Sequence, residues 1–177
     1  MTDTKLLAAR IIQDAGGELV GRTRLQKVAF LLKLAGFDDS FEFEYRHYGP
    51  FSEELADAIE IASILGPVQE EERVADWGGR YSVYSVNKEV APVDATRSAF
   101  VQKAKEINAV ELELAATAAY LFVYEGIGSR VEGNPWGETA RRKPTKAAEG
   151  RLGRAFHAYE ALRHCPAIKK LPKLPQP

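Results

Sequence analysis

Hydrophobic residues recur at helical spacing in the first third of the chain and predict three helices there. The first covers Thr4 to Ala15, where apolar residues return every three or four positions. The second begins at Thr23, where Thr23 and Gln26 match a capping box, and it ends at Gly36. Each of these helices has one apolar stripe, so each is expected to bury one face against a neighbour.

A third helix and several short strands follow. Phe41 to Tyr45 alternates aromatic and acidic residues, which predicts a half-buried strand, and Gly49-Pro50 is predicted to form a turn. Ser52 is placed to cap the third helix. Two further strand-like segments, 68–74 and 80–86, are joined by a glycine-rich turn and predict a hairpin. The order helix, helix, strand, helix, hairpin is that of a winged-helix core.

The rest of the chain predicts a second helical layer. Helical spacing predicts two helices over 95–108 and 110–125 and a last helix over 146–163. A glycine-rich loop is predicted over 126–139. The predicted fold class is mainly α with a small β component (α+β), a winged-helix-like N-terminal core with a C-terminal helical layer. We expect a core over 1–90, a helical layer over 91–165 that packs on it as one compact unit, and a flexible tail over 166–177.

Composition and charge narrow the class of protein. The chain has 177 residues, 45% of them hydrophobic, and one cysteine, which excludes an internal disulfide. No membrane-spanning run and no signal-peptide core occur, so the expected location is the cytoplasm. Residues 1–90 carry 10 Lys/Arg and 16 Asp/Glu, whereas 91–177 carry 14 and 9. The acidic and basic parts either attract each other or face different partners.

The predicted third helix has the wrong charge for reading a DNA duplex. In a winged helix this element usually enters the major groove. Here it carries Glu53, Glu54, Asp57 and Glu60 and has no lysine or arginine. Phosphate repels carboxylates, and nucleic-acid binders gain affinity through Lys/Arg contacts. Its polar face is therefore expected to meet a basic protein surface.

Basic residues gather in two other places. Arg22, Arg24 and Lys27 lie at the start of the second helix. A second cluster contains Arg141, Arg142, Lys143 and Lys146. Two interpretations of these clusters are open. They form a patch that binds phosphate or an acidic partner, or they pair with the acidic third helix inside the fold.

Aromatic residues supply two further candidate contacts. Tyr48 lies beside the predicted Gly-Pro turn, and Trp136 lies in the glycine-rich loop. Tyrosine and tryptophan are enriched at binding hot spots, which makes Trp136 a candidate exposed anchor. The alternative for Tyr48 is core packing beneath the turn, and for Trp136 a side chain that plugs its own loop.

Signatures of catalysis are missing. The sequence has no P-loop, no GxSxG elbow, no HExxH helix and no paired CxxC motif, so no catalytic residue, metal or cofactor is predicted. One enzyme hypothesis uses His47 or Glu132 with an arginine of the glycine-rich loop. His47, however, has no evident nucleophile or proton partner in the sequence.

Two short motifs carry a resemblance to a known group of proteins. GRTRLQKVAFLLK (21–33) and YRHYGPFSEEL (45–55) resemble the Panacea-domain proteins, which include SocA-type antitoxins, and look most similar to their YwgA-like branch of uncharacterised bacterial and archaeal proteins. The resemblance covers roughly residues 5–125. It implies a mainly helical domain without known enzyme activity. Of the marker residues, Gln26, Lys27 and Tyr48 are expected to have polar roles.

These observations predict a non-enzymatic, protein-binding regulatory module, antitoxin- or adaptor-like, whose partner is another protein such as a toxin. The alternative is a nucleic-acid-binding regulator that uses the basic patches outside the third helix. The candidate partner-binding residues are Arg22, Arg24, Gln26, Lys27, Tyr48, Trp136, Arg141, Arg142 and Lys143.

Overall fold

In the computed structural model, residues 3–177 are described, and they form eight α-helices and five short β-strands. The helices are α1 (Thr4–Asp14), α2 (Arg22–Leu34), α3 (Glu53–Leu65), α4 (Ala95–Lys105), α5 (Ala109–Val123), α6 (Pro135–Arg142), α7 (Pro144–Ala147) and α8 (Arg151–Arg163). The strands are β1 (Glu18–Val20), β2 (Glu44–Arg46), β3 (Gly49–Phe51), β4 (Gln69–Val74) and β5 (Arg80–Ser85). The predicted α+β class with a helical majority is confirmed. None of the described helices has the length and apolar character needed to cross a membrane.

The predicted hairpin is confirmed and belongs to a three-stranded antiparallel sheet. Strands β4 and β5 pair from Gln69–Ser85 to Val74–Arg80. The strand order is β1-β5-β4, because β1 pairs with the opposite edge of β5. Strand β1 was not predicted. It has three residues, too few for alternation to be detected, and only its pairing with a distant strand defines it.

The aromatic strand prediction is only partly right. Phe41 and Phe43 are buried, but they lie outside regular structure, and pairing begins at Glu44. Strands β2 and β3 form a hairpin whose turn is His47-Tyr48. The Gly-Pro turn prediction is wrong, because Gly49 and Pro50 belong to the returning strand β3.

One predicted cap is confirmed and another is wrong. The Ser52 side chain accepts a hydrogen bond from the Leu55 backbone N–H at 3.2 Å and caps α3. The capping box of Thr23 and Gln26 does not form, since α2 starts one residue earlier behind Gly21 and has no side-chain cap. The Gln26 side chain is instead used in a tertiary contact described below.

Helix α5 is the centre of the molecule. It is apolar on nearly all sides and packs against α2, α6, α8 and β3. A helix with apolar residues all round is a buried one. The resulting core contains residues of both the predicted N-terminal core and the predicted helical layer. The two parts are therefore joined by one continuous set of apolar contacts.

The C-terminal region has more order than its composition indicates. Helix α6 occupies part of the predicted glycine-rich loop, with Asn134 as its cap. Residues after α8 form no helix or strand, but Leu171 and Leu174 are buried in the core. The Tyr159 hydroxyl also donates a hydrogen bond to the Pro172 carbonyl at 2.5 Å. This segment thus differs from the predicted flexible tail, because its two leucines anchor it.

Candidate functional site

The two sequence motifs that carry the resemblance meet in space, between α2 and the β2–β3 hairpin. The Gln26 amide donates to the Ser52 carbonyl at 2.9 Å and accepts from the Ser52 N–H at 2.8 Å. Beside it, Lys27 Nζ donates to the Pro50 carbonyl at 2.8 Å. All three of these bonds are buried, so they satisfy backbone groups that water does not reach.

Gly49 lets the hairpin approach α5 closely. Its φ of +91° is a conformation that favours glycine, and a Cβ at this position would lie 2.5 Å from Thr117 Oγ1. Together with Gln26 and Lys27, this glycine fastens the hairpin between α2 and α5. The motif residues therefore have a structural explanation in this fold.

We predict that Gln26→Met lowers the free energy of unfolding by about 2 kcal/mol, because it leaves the buried Ser52 N–H and carbonyl without partners, each costing at least about 1 kcal/mol. Urea denaturation of both proteins measures the difference. Gln69→Met makes the same change on the exposed strand β4 and is expected to stay within about 0.5 kcal/mol. A similar loss in both variants would show that the Gln26 contact has no special role.

Next to this junction lies a cluster of charges that is buried except at Lys146. We call it the lysine cluster, and its members are Lys27, Lys143, Lys146 and Glu113. Lys143 Nζ and Lys146 Nζ each lie 2.9 Å from Glu113 Oε1, and Lys146 Nζ is 2.8 Å from Glu113 Oε2. Lys143 also donates to the His47 carbonyl at 2.9 Å. Lys27 is almost fully buried, and its burial lowers its pKa to about 8, with the neighbouring lysines acting in the same direction.

Lys143 and Lys146 of the lysine cluster line an open cleft of about 820 Å³, which we call the basic cleft. Its lining residues are Tyr45, Arg46, His47, Arg141, Arg142, Lys143, Pro144, Thr145 and Lys146. Arg142 forms ion pairs with Glu125 at 2.8 Å and Glu138 at 2.9 Å, and its guanidinium lies 4.9 Å from the centre of the Tyr45 ring. Hydrogen bonds from Arg141 and Arg142 lower the pKa of Glu138 to about 2.

Several predicted site residues come together here. Lys27, Lys143, Arg141 and Arg142 belong to the lysine cluster or to the basic cleft, and Gln26 lies next to Lys27 on α2. The half-exposed ring of Tyr48 lies 4.7 Å from Lys146 Nζ. Gln26 and Lys27 were expected to have polar roles, and in the structure both side chains form hydrogen bonds within the fold.

Arg22 and Arg24 lie at a different place. They line a second cleft with Arg80 and Glu72, and this cleft shares no residue with the basic cleft. Arg22 pairs with Glu70 at 2.9 Å. Arg24 donates to the carbonyls of Lys105 and Ile107, where it closes the end of α4.

Trp136 is not the exposed anchor that the sequence suggested. It is fully buried on α6 and packs edge-on against Phe156 and Tyr159, at 5.6 and 6.2 Å between ring centres. The alternative, a side chain that plugs its own loop, is right about the burial, but the ring packs against α8 and not against its own loop. Burial of its large apolar ring outweighs the loop-like composition around it.

Sequence reasoning missed the acceptor at the centre of the lysine cluster. Glu113 and Thr117 lie four residues apart in the otherwise apolar stretch LELAATAAYLFV (112–123), and both are buried. A polar pair at that spacing shares one helix face. This interruption of an apolar helix was the available signal.

The exposed face of α3, which we call the α3 face, combines carboxylates with large aliphatic side chains. Its exposed residues are Glu53, Glu54, Asp57, Glu60, Ile61, Ile64 and Leu65. Ile64 is 73% exposed and Leu65 is 71% exposed. Their opposite side, with Leu55 and Ala62, is buried towards α1. Helical spacing places all seven exposed residues on one continuous surface.

The basic part of the chain does not neutralise this surface. Only Glu53 of the α3 face has an ion pair among residues 3–177, and its partner is Arg46 at 2.7 Å. Arg141 and Arg142 pair with Glu138, while Lys143 and Lys146 pair with Glu113. Internal pairing of the 141–146 cluster with the third helix, one of the two expected arrangements, is therefore wrong.

Comparison with known proteins finds a distant relative of this chain. No protein-family model matches the chain. The chain is similar to the uncharacterized protein YwgA of Bacillus subtilis (strain 168), with 33% identity over 95 residues. Those residues make up 54% of this chain, which spans about half the length of that curated relative. The similarity supports a place near the YwgA-like proteins.

Within residues 3–177, no group of three His, Cys, Asp or Glu side chains is placed to hold a metal ion.

Proposed function

We propose that this protein is a non-enzymatic, protein-binding regulatory module of the antitoxin or adaptor type, and that the α3 face is its binding surface. The observation that carries the proposal is the pairing of unneutralised carboxylates with exposed aliphatic side chains on that one helix face. Contiguous exposed apolar residues rimmed by charges are characteristic of protein interaction sites.

The chemistry of the α3 face defines its partner. Asp57 and Glu60 favour a surface that presents lysine or arginine, and they guide the encounter by long-range attraction. Ile64 and Leu65 supply the apolar contact that excludes water. We propose a partner protein with an apolar patch bordered by basic residues.

The arrangement of the N-terminal part supports a winged-helix core of the Panacea type. Its helices α1, α2 and α3 and the β4–β5 hairpin follow one another in the order expected for that architecture. The helix that would face DNA is α3, which carries no basic residue. The proposed scaffold thus presents to a protein the element that other winged helices present to a duplex.

Photo-crosslinking tests the α3 face directly. We expect a photoreactive residue placed at Ile64 to capture one defined protein from native lysate, and the same residue at Val93 to capture none. Val93 is a matched control because it is 67% exposed and lies outside α3. Capture should weaken as salt concentration rises, since the carboxylates contribute to the encounter.

Equal capture from positions 64 and 93, or no capture from either, would contradict the proposal. Crosslinking to a second copy of this chain would identify the α3 face as a self-association surface and would also contradict the proposed regulatory role. Sedimentation of the uncrosslinked protein separates that result from binding of a different protein.

Nucleic-acid binding has less support from the structure. The basic residues at 141–146 have carboxylate partners, and Arg22 and Arg24 lie in a separate cleft. Binding along a nucleic-acid backbone needs several phosphate contacts on one surface, and these two groups of basic residues line separate clefts.

A further inference from the structure

The lysine cluster has more positive than negative charge. Lys27, Lys143 and Lys146 surround one carboxylate, that of Glu113. Lys27 and Lys143 are buried, with 1% and 8% of their surface exposed, and Glu113 is equally buried at 4%. Uncompensated charge in a region of low dielectric is unfavourable unless a counter-charge is near. The cluster therefore carries a net charge of +2.

The excess charge is reachable from solvent. Lys143 and Lys146 line the basic cleft, and the Lys146 side chain is 34% exposed. Lys27 does not line the cleft and acts on a ligand there only through its electrostatic field. The N–H donors of the Lys143 and Lys146 side chains suit an anion with several acceptor oxygens.

We propose that the basic cleft binds the phosphate group of a small phosphate monoester, seated against Lys143 and Lys146. A phosphate monoester carries about −1.5 to −2 near pH 7, which matches the two unbalanced positive charges of the lysine cluster. A diester carries one negative charge and compensates only half of them. The half-exposed Tyr48 ring next to Lys146 offers a flat surface for the organic group attached to the phosphate.

Calorimetric titration of the full chain with three probes tests this site. Inorganic phosphate, adenosine 5′-monophosphate and a short oligonucleotide without terminal phosphates are compared at constant ionic strength and near-neutral pH. We expect the first two probes to bind with a Kd below about 1 mM, and the oligonucleotide to bind at least about ten-fold more weakly per phosphate. Tighter binding of adenosine 5′-monophosphate identifies an organic monoester as the source, and equal binding identifies free phosphate.

Two variants move the affinity in opposite directions. Lys146→Gln removes one charged donor and is expected to weaken phosphate binding at least about ten-fold. Glu113→Gln removes the competing carboxylate and is expected to strengthen it by a similar factor. Lys103→Gln, on the exposed side of α4, is the matched control and should leave the affinity unchanged.

Three results would overturn the proposal. The first is the absence of saturable phosphate binding to the unaltered protein. The second is an oligonucleotide that binds more tightly than the monoester, because that would indicate nucleic-acid backbone recognition. The third is unchanged phosphate affinity in Lys146→Gln. Because Lys146 is partly exposed, this variant keeps the test valid even where Glu113→Gln fails to fold.

Discussion

Replacing Arg97 with methionine is expected to lower the free energy of unfolding by about 3–5 kcal/mol, the usual cost of leaving a buried charge without its partner. Arg97 on α4 is 3% exposed, and its Nε lies 2.5 Å from Asp14 Oδ2 at the end of α1. It also donates to the Phe37 carbonyl at 3.2 Å. Denaturation in urea, compared with that of the unaltered protein, measures the loss.

A double variant separates the charge effect from the loss of packing. Burial raises the pKa of Asp14, and the Arg97 guanidinium opposes that rise. In Arg97→Met the Asp14 and Asp38 carboxylates both lose their partner, so adding Asp14→Asn should recover part of the lost stability. Arg154→Met, at an exposed ion pair, serves as the control and should cost less than about 1 kcal/mol. If the double variant loses as much free energy of unfolding as the two single variants added together, this explanation is contradicted.

Between about pH 8 and 10.5, the free energy of unfolding of the unaltered protein is expected to rise by about 3 kcal/mol more than that of Lys27→Met. Burial lowers the pKa of Lys27 to about 8, against 10.5 for a solvated lysine. Between these values the unfolded chain binds the proton and the folded chain releases it. Stability therefore increases with pH in this window, and below about pH 8 the full penalty of the buried charge is present.

Urea denaturation at a series of pH values gives this difference directly. The comparison with Lys27→Met is essential because tyrosines also titrate in this range, and they contribute equally to both proteins. Parallel stability profiles for the two proteins would mean that Lys27 has an ordinary pKa and that the lysine cluster is more solvated than its burial indicates.

The sequence predicts those parts of the fold that depend on neighbours along the chain. The cap at Ser52, the limits of α1 and α3, and the β4–β5 hairpin follow from local spacing and turn residues. Strand β1 does not, because its pairing with β5 joins segments more than sixty residues apart. Helix α6 was missed because proline and glycine near its start outweigh its helical spacing.

The candidate site shows the same limit. Lys27 and Lys143 were recognised as candidate residues, but nothing in their spacing indicates that both face one carboxylate on α5. Gln26 fits a capping box by sequence and binds Ser52 in the fold, since the tertiary bonds satisfy two buried backbone groups at once. Trp136 was misplaced because loop composition carries no information about burial.

The α3 face, where acidic and aliphatic side chains are exposed together, is proposed to be the binding surface of this protein. The acidic character was evident from the sequence. The structure adds that Asp57 and Glu60 have no ion pair within residues 3–177, and that Ile64 and Leu65 lie beside them in solvent. These facts point to a partner outside the chain.

The affinity of the crosslinked partner, purified and measured by calorimetry, tests that claim most directly. We predict that Ile64→Ser with Leu65→Ser weakens binding at least about ten-fold, because residues central to an interface cost more than about 1 kcal/mol each when truncated. Asp57→Lys with Glu60→Lys should weaken it further at low salt, whereas Val93→Ser should leave it unchanged. Equal affinity for the unaltered protein and both α3 variants would contradict the claim.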